Sequence, residues 1–222
     1  MPSQTLPYHT RTYLAYLRLT KALDNHRTAN PSSPATFTLT LAPYQLYPSA
    51  SATGEDKHTW YKTAKYDNSE ARMQLYCDTM GKLGEAEGVA FDFKTGPIAN
   101  TLNAHRILQL IQAQHSPAAA LRALEVLYKS YFEQGQHPSS PATLTAACLA
   151  AGLSKEETDS LVADDSAGLA NVKMALREQV GNGVDSVPYV VFEGRKRDFT
   201  LIGAKEVAEY EKVLGQVGKE SL

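Results

Sequence analysis

The spacing of apolar and polar positions divides the chain into stretches of different period. Near the start, Ala15, Tyr16, Leu19, Ala22, Leu23 and His26 fall at i, i+1, i+4, i+7, i+8 and i+11. That is one face of a 3.6-residue repeat and predicts a helix over about residues 12–26. The Asn, Pro and Ser content of residues 29–34 marks a loop. Phe37, Leu39 and Leu41 then alternate with Thr38 and Thr40, which predicts a strand closed by Pro43 and Pro48. From about residue 69 to 181 the pattern reads as helical throughout. Met73, Tyr76, Cys77, Met80 and Leu83 form one stripe, Ala104, Ile107, Leu108 and Ile111 a second, and Ala120, Leu124, Leu127, Tyr128, Tyr131 and Phe132 the strongest. Leu144, Ala147, Cys148 and Ala151 mark a shorter helix with Gly152 placed as its C-cap, and Ser154 with Glu157 resembles a capping box. After Gly183 the period returns to two in Tyr189–Phe192 and again in Phe199–Ile202, with a turn between them, and a last helix runs over about 204–217.

The order is therefore helix, strand, helical block, strand, strand, helix: an α+β frame interrupted by helices. No internal repeat or low-complexity tract breaks it. Of the 222 residues, 43% are hydrophobic and 21% charged, ordinary values for a soluble globular protein. A formal charge of −2 supplies no field for nucleic acid or an anionic membrane. No apolar run approaches the roughly 18–20 residues that span a bilayer. The N-terminus shows no basic segment followed by an apolar one, so a cytoplasmic location is expected. With two cysteines, Cys77 and Cys148, far apart in sequence, reduced thiols fit better than a disulfide staple. The six histidines show neither H-x-x-x-H nor Cys–His spacing, and no metal site is expected.

Two segments make the order recognisable. Gly183-Val184-Asp185-Ser186-Val187-Pro188-Tyr189-Val190-Val191-Phe192, with Leu201-Ile202-Gly203-Ala204 behind it, resembles the G-V-x-x-V-P … I-x-G-A-Q signature of DsbA-like proteins. Asn100-Thr101-Leu102-Asn103-Ala104-His105-Arg106 resembles the N-T-x-x-A-H-R helix start of the FrnE-type branch, as Tyr131-Phe132-Glu133-Gln134-Gly135 resembles its A-Y-F-x-x-G. Leu41-Ala42-Pro43 is similar to the branch's L-N-P. The resemblance covers roughly residues 9–217. It implies a thioredoxin-like fold with an inserted all-helical domain, divided as 1–65, 66–182 and 183–222. It also implies a cis bond before Pro188, leaving backbone groups of Val187 to hold an extended substrate such as glutathione. Relatives in the superfamily include kappa-class glutathione transferases and 2-hydroxychromene-2-carboxylate isomerases.

One departure decides the chemistry. Tyr13-Leu14-Ala15-Tyr16-Leu17-Arg18-Leu19 aligns with the family's Y-L-G-x-x-R-L, so the dithiol motif falls on His9-Thr10-Arg11-Thr12 and neither cysteine is present. Disulfide exchange needs a thiolate to attack and a second thiol to resolve, and threonine does neither. Only eight residues, two of them prolines, precede His9. They show no alternating run for the family's central first strand, which is therefore shortened, lost with a missing start, or supplied by a partner. The resemblance offers His9, Thr12 and His105 as candidate catalytic groups, the first and last by moving protons and Thr12 by hydrogen-bonding a thiolate or oxyanion at a helix N-terminus. Asn100, Thr101, Trp60, Val187 and Pro188 are candidate substrate contacts. The expected partner is a small aromatic or polyketide-like molecule, converted by isomerisation, cyclisation or a step using glutathione. A homodimer is the protein–protein association considered, and an oxidoreductase relative stripped of its cysteines or a non-catalytic binding protein are the alternatives.

Overall fold

The structure, a computed structural model, describes the backbone of residues 2–6 and the whole of residues 10–220. Along the chain come β1 (Pro2–Leu6), α1 (Thr10–Ala29) and β2 (Thr40–Pro43). A short β3 (Glu55–Asp56) leads into α2 (Lys57–Lys65), α3 (Glu70–Ala86) and β4 (Pro97–Ile98). Four helices follow: α4 (Leu102–Gln114), α5 (Pro117–Phe132), α6 (Pro141–Ala151) and α7 (Lys155–Ala163). Then come α8 (Leu169–Gly181), β5 (Tyr189–Phe192), β6 (Phe199–Ile202) and α9 (Val207–Glu220). The chain forms two compact units, one of Met1–Tyr44 with Met174–Leu222 and one of Gln45–Lys173.

The first unit is built on a four-stranded sheet in the order β2-β1-β5-β6. β1 runs parallel to β2 and antiparallel to β5, and β5 pairs antiparallel with β6. The first strand is thus present, at five residues. Pro2-Ser3-Gln4-Thr5-Leu6 lacks alternation because a strand paired on both edges draws its stability from the backbone ladder. β2 starts later than the expected 37–41 and takes in Pro43, which an edge strand tolerates because proline removes only one amide from the ladder. Phe37 instead leaves the strand and packs edge-on against His26, with ring centroids 5.3 Å apart. On the sheet Leu41, Val190 and Phe192 are buried, as are Leu14, Leu19 and Leu23 of α1 and Tyr210, Leu214 and Val217 of α9. Arg18, only 6% exposed, donates from Nη1 to Glu206 Oε1 at 2.7 Å and fixes the entry into α9.

The second unit packs α4, α5 and α6 along the stripes read from the sequence: Ile107, Leu108, Leu124, Leu127, Leu144 and Cys148 are all buried. The caps follow their residue types. Ser116, Ser140 and Ser154 accept from the amides of Ala119, Thr143 and Glu157, and Gly152 closes α6 at φ +96°. The expected capping box is only half formed: Ser154 Oγ accepts from the Glu157 amide, while the Glu157 carboxylate lies 2.8 Å from His115 Nε2. The expectation of unbroken helix fails over 87–101, where Val89, Phe93 and Ile98 bury from irregular chain and β4. α2 has no apolar stripe to betray it, burying only Lys57 and Tyr61.

Lys57 is the least expected core residue. It is 2% exposed, its Nζ donates to the Tyr131 carbonyl at 2.9 Å, and it lies 4.3 Å from the centre of the Tyr131 ring. Its amide donates to Gly96 O, where the chain passes so close to Gly135 that a Cβ on Gly96 would sit 2.0 Å from the Gly135 oxygen. Burial pushes the Lys57 ammonium from 10.5 down to about 8, against the opposing pull of Asp92. Between those values the unfolded chain holds a proton that the folded chain has released, so stability rises with pH. Above about pH 8.5 the slope turns over, because burial holds the thiols of Cys148 and Cys77, and nearer pH 10 the phenols of Tyr61 and Tyr131, protonated in the folded state only. The urea midpoint should therefore increase from about pH 7 to about pH 8.5, and Lys57→Met should flatten that rise. A wild-type midpoint that falls over this interval would contradict the assignment.

Candidate active site

The register of the sheet brings two segments to one end of it. Thr5 lies opposite Tyr189, so the residues leading into β5 sit at the end where β1 turns toward α1. The Val187–Pro188 peptide there is cis. The Pro188 carbonyl accepts from Gly203 N at 2.8 Å, whereas Val187, half-buried, has no backbone hydrogen bond among the described residues. Thr12 stands in the first turn of α1, inside the helix, with 0% exposure. Its Oγ1 is buried and has no hydrogen-bond partner among the described residues. Thr10, two residues earlier, is 1% exposed, a second buried hydroxyl that sequence reading passed over. Thr-x-Thr at a helix start, with exposed Arg11 between, is the signal that could have found it. His9 lies outside the described residues.

The other sequence candidates belong to the second unit. Asn100 is occupied by architecture. Its amide donates to Ser51 O and its Nδ2 to Pro48 O, both at 2.9 Å, and its carbonyl accepts from Ser139 Oγ at 3.0 Å. Its Oδ1 accepts from Gln45 Nε2 and from Leu102 N. Thr101 is the N-cap of α4 but makes no side-chain cap bond, which leaves that task to Asn100. His105 is 2% exposed on the same helix. Arg106 beside it is fully buried and donates to Asn103 Oδ1, Ala167 O and Leu161 O, stapling the ends of α7 and α8 to α4. A cavity of about 360 Å³ opens at this end of α4, lined by Ala52, Asn100, Asn103, Ser139 and Asp165 among others. Trp60 stands apart from it on α2, edge-on to Tyr47 at 4.6 Å. A second cavity, about 390 Å³, lies at the far end of α1 from Thr12 and contains none of the candidates.

The DSBA-like thioredoxin domain matches residues 12–215. The chain belongs to this family. Among solved structures, this DSBA-like chain resembles the probable DsbA oxidoreductase of Streptomyces coelicolor, with a TM-score of 0.79 and 22% identity over 99% of this chain and 90% of that one. It also resembles a 2-hydroxychromene-2-carboxylate isomerase, with a TM-score of 0.64 and 12% identity over 99% and 97%. The cytosolic disulfide reductase DsbM from Pseudomonas aeruginosa with GSH gives a TM-score of 0.56 at 11% identity over 97% of each chain. No protein of curated function matches in sequence. The fold is thus the α+β thioredoxin-like one with its helical insertion.

In this DSBA-like chain both thiols are free and both lie in the second unit, on α3 and α6. Burial pushes the Cys77 thiol up and raises Cys148 to about 11, so neither presents much thiolate near neutrality. Among the described residues no helix is long and apolar enough to cross a membrane, and no cluster of His, Cys, Asp or Glu is placed to hold a metal.

A buried hydroxyl without a partner destabilises the fold, so Thr12→Val should raise the urea midpoint, by about 1 kcal/mol in stability. A loss of stability would mean that the hydroxyl has a partner in solution. Asn100→Ala should do the reverse, lowering stability by about 2–3 kcal/mol in the same measurement, since its side chain joins the 45–51 loop to α4.

Proposed function

We propose that this DSBA-like chain has left dithiol chemistry and converts a small aromatic or polyketide-like molecule by isomerisation, cyclisation or a glutathione-dependent step at the N-terminus of α1. The observation that carries this reading is the orphaned hydroxyl of Thr12. A threonine so placed weakens the fold and contributes nothing to packing that valine would not. It is instead a donor held ready at a helix N-terminus, where the macrodipole favours negative charge. A thiolate or an oxyanion is the natural acceptor.

Glutathione fits the groups present. Val187 has its backbone N–H and C=O unpaired among the described residues, as peptide capture by strand extension requires, and Thr12 offers a hydrogen bond to sulfur. The tripeptide would supply a thiol nucleophile. This chain's own residues would orient it, keep its sulfur charged through Thr12, and move protons through His9. Thr101, Trp60 and His105 belong to the second unit, where any contact with substrate is a separate proposal. Asn100 would act by tying the 45–51 loop to the start of α4. The likeness to an isomerase and to a reductase with GSH supports this choice of chemistry without extending either protein's activity to this one.

Calorimetry with reduced glutathione should give saturable binding that Thr12→Val weakens about ten-fold, the scale of one hydrogen bond to a charged group. Insulin reduction should stay at background. Appreciable insulin turnover lost on replacing Cys77 and Cys148 by serine would instead make the chain an oxidoreductase, and glutathione binding untouched by Thr12→Val would move the site elsewhere.

A further inference from the structure

Beyond the α1 site, α2 carries an aromatic and cationic platform. Tyr47 and Trp60 meet at 63° with centroids 4.6 Å apart, and both are only half-buried. Over them lies the Lys65 ammonium, 4.8 Å from the Tyr47 ring centre and 5.9 Å from that of Trp60. Lys65 is exposed and has no carboxylate within salt-bridge distance among the described residues. The acids nearby are engaged elsewhere. Glu70 lies between Lys62 and His58 at 3.3 and 3.4 Å, Asp67 pairs with Arg72, and Asp56 caps α2 through the Thr59 amide.

Two ligand classes could use such a corner. A cation could displace Lys65 from the rings, since aromatic faces attract positive charge. A planar anion could lie against the rings and take Lys65 as its counter-ion. The charge of the helix decides between them. α2 has the sequence Lys57-His58-Thr59-Trp60-Tyr61-Lys62-Thr63-Ala64-Lys65, with three lysines and no acidic residue. An incoming cation would meet Lys65 still tethered beside it, and Lys62 one turn back. An anion gains from Lys65, which is unpaired among the described residues, whereas Lys62 is already matched by Glu70. Burial and the neighbouring Tyr66 push the Tyr47 phenol up to about 12, so the ring wall itself carries no opposing negative charge.

We propose that Tyr47, Trp60 and Lys65 form a binding platform for a planar aromatic anion, the rings contributing stacking surface and the ammonium the charge recognition. This extends the aromatic-substrate reading above by giving the ligand a negative charge. It concerns binding on the second unit alone, so it can fail while the Thr12 reading stands, and the reverse.

Trp60 is the single tryptophan of the chain, so its indole N–H gives one resonance that reports this corner. The full chain, labelled with nitrogen-15, would be titrated with 2-naphthoate, its neutral amide 2-naphthamide and the cationic 2-naphthylmethylammonium. We expect 2-naphthoate to shift the indole signal saturably and to bind about five-fold more tightly than the amide, the scale of one exposed ion pair. Lys65→Gln should remove that preference, while Lys82→Gln, an exposed lysine on α3, should keep it. Tighter binding of the ammonium compound, equal binding of acid and amide, a preference surviving Lys65→Gln, or an indole signal that no ligand moves would each overturn the proposal.

Discussion

The backbone ladder of β1 holds the first unit together. That strand alone joins β2 on one side to the β5–β6 hairpin on the other. Without it the sheet would separate into one strand and one hairpin, neither able to stand in water. The same pairing sets the candidate site. Because Thr5 faces Tyr189, the chain leaves the sheet toward α1 at the end where Val187 and Pro188 approach β5. Position at this site is therefore a product of strand register, and the side chains of α1 inherit it.

How much of this was legible depended on whether an element declares itself through side chains. β5 and β6 alternate or run apolar, and their limits were readable from the sequence to the residue. Gly152 and the serine caps were equally plain, since each answers a local need of a helix end. β1 was silent because its stability comes from amides and carbonyls, which every sequence possesses. α2 was silent for another reason: its buried residue is a lysine, and a hydrophobic period cannot register a cation held by carbonyls and a ring. The Asn-Thr-x-x-Ala-His-Arg segment pointed to the right family, yet the structure commits the polar groups of Asn100 and Arg106 to holding loops and helix ends. A motif can mark a frame as readily as a reaction.

Two polar groups in the molecule stand out for opposite reasons. Lys57 is buried and satisfied, so its placement explains itself as packing. Thr12 is buried and unsatisfied, and packing gives no account of it. This contrast, more than any likeness to relatives, gives the first turn of α1 its interest. The first turn of α1 thus carries a buried hydroxyl, a group that can donate a hydrogen bond but cannot exchange with a disulfide.

The saturation of Asn100 has a consequence for how the cavity beside α4 can change over generations. With the loop and the helix start tied through a residue facing mostly inward to its own chain, the neighbours Ala52 and Asp165 that line the opening are released from much of the structural duty. Drift at those positions can reshape what the opening admits without loosening the scaffold, so lineages sharing this frame are free to diverge in ligand while remaining superimposable in backbone.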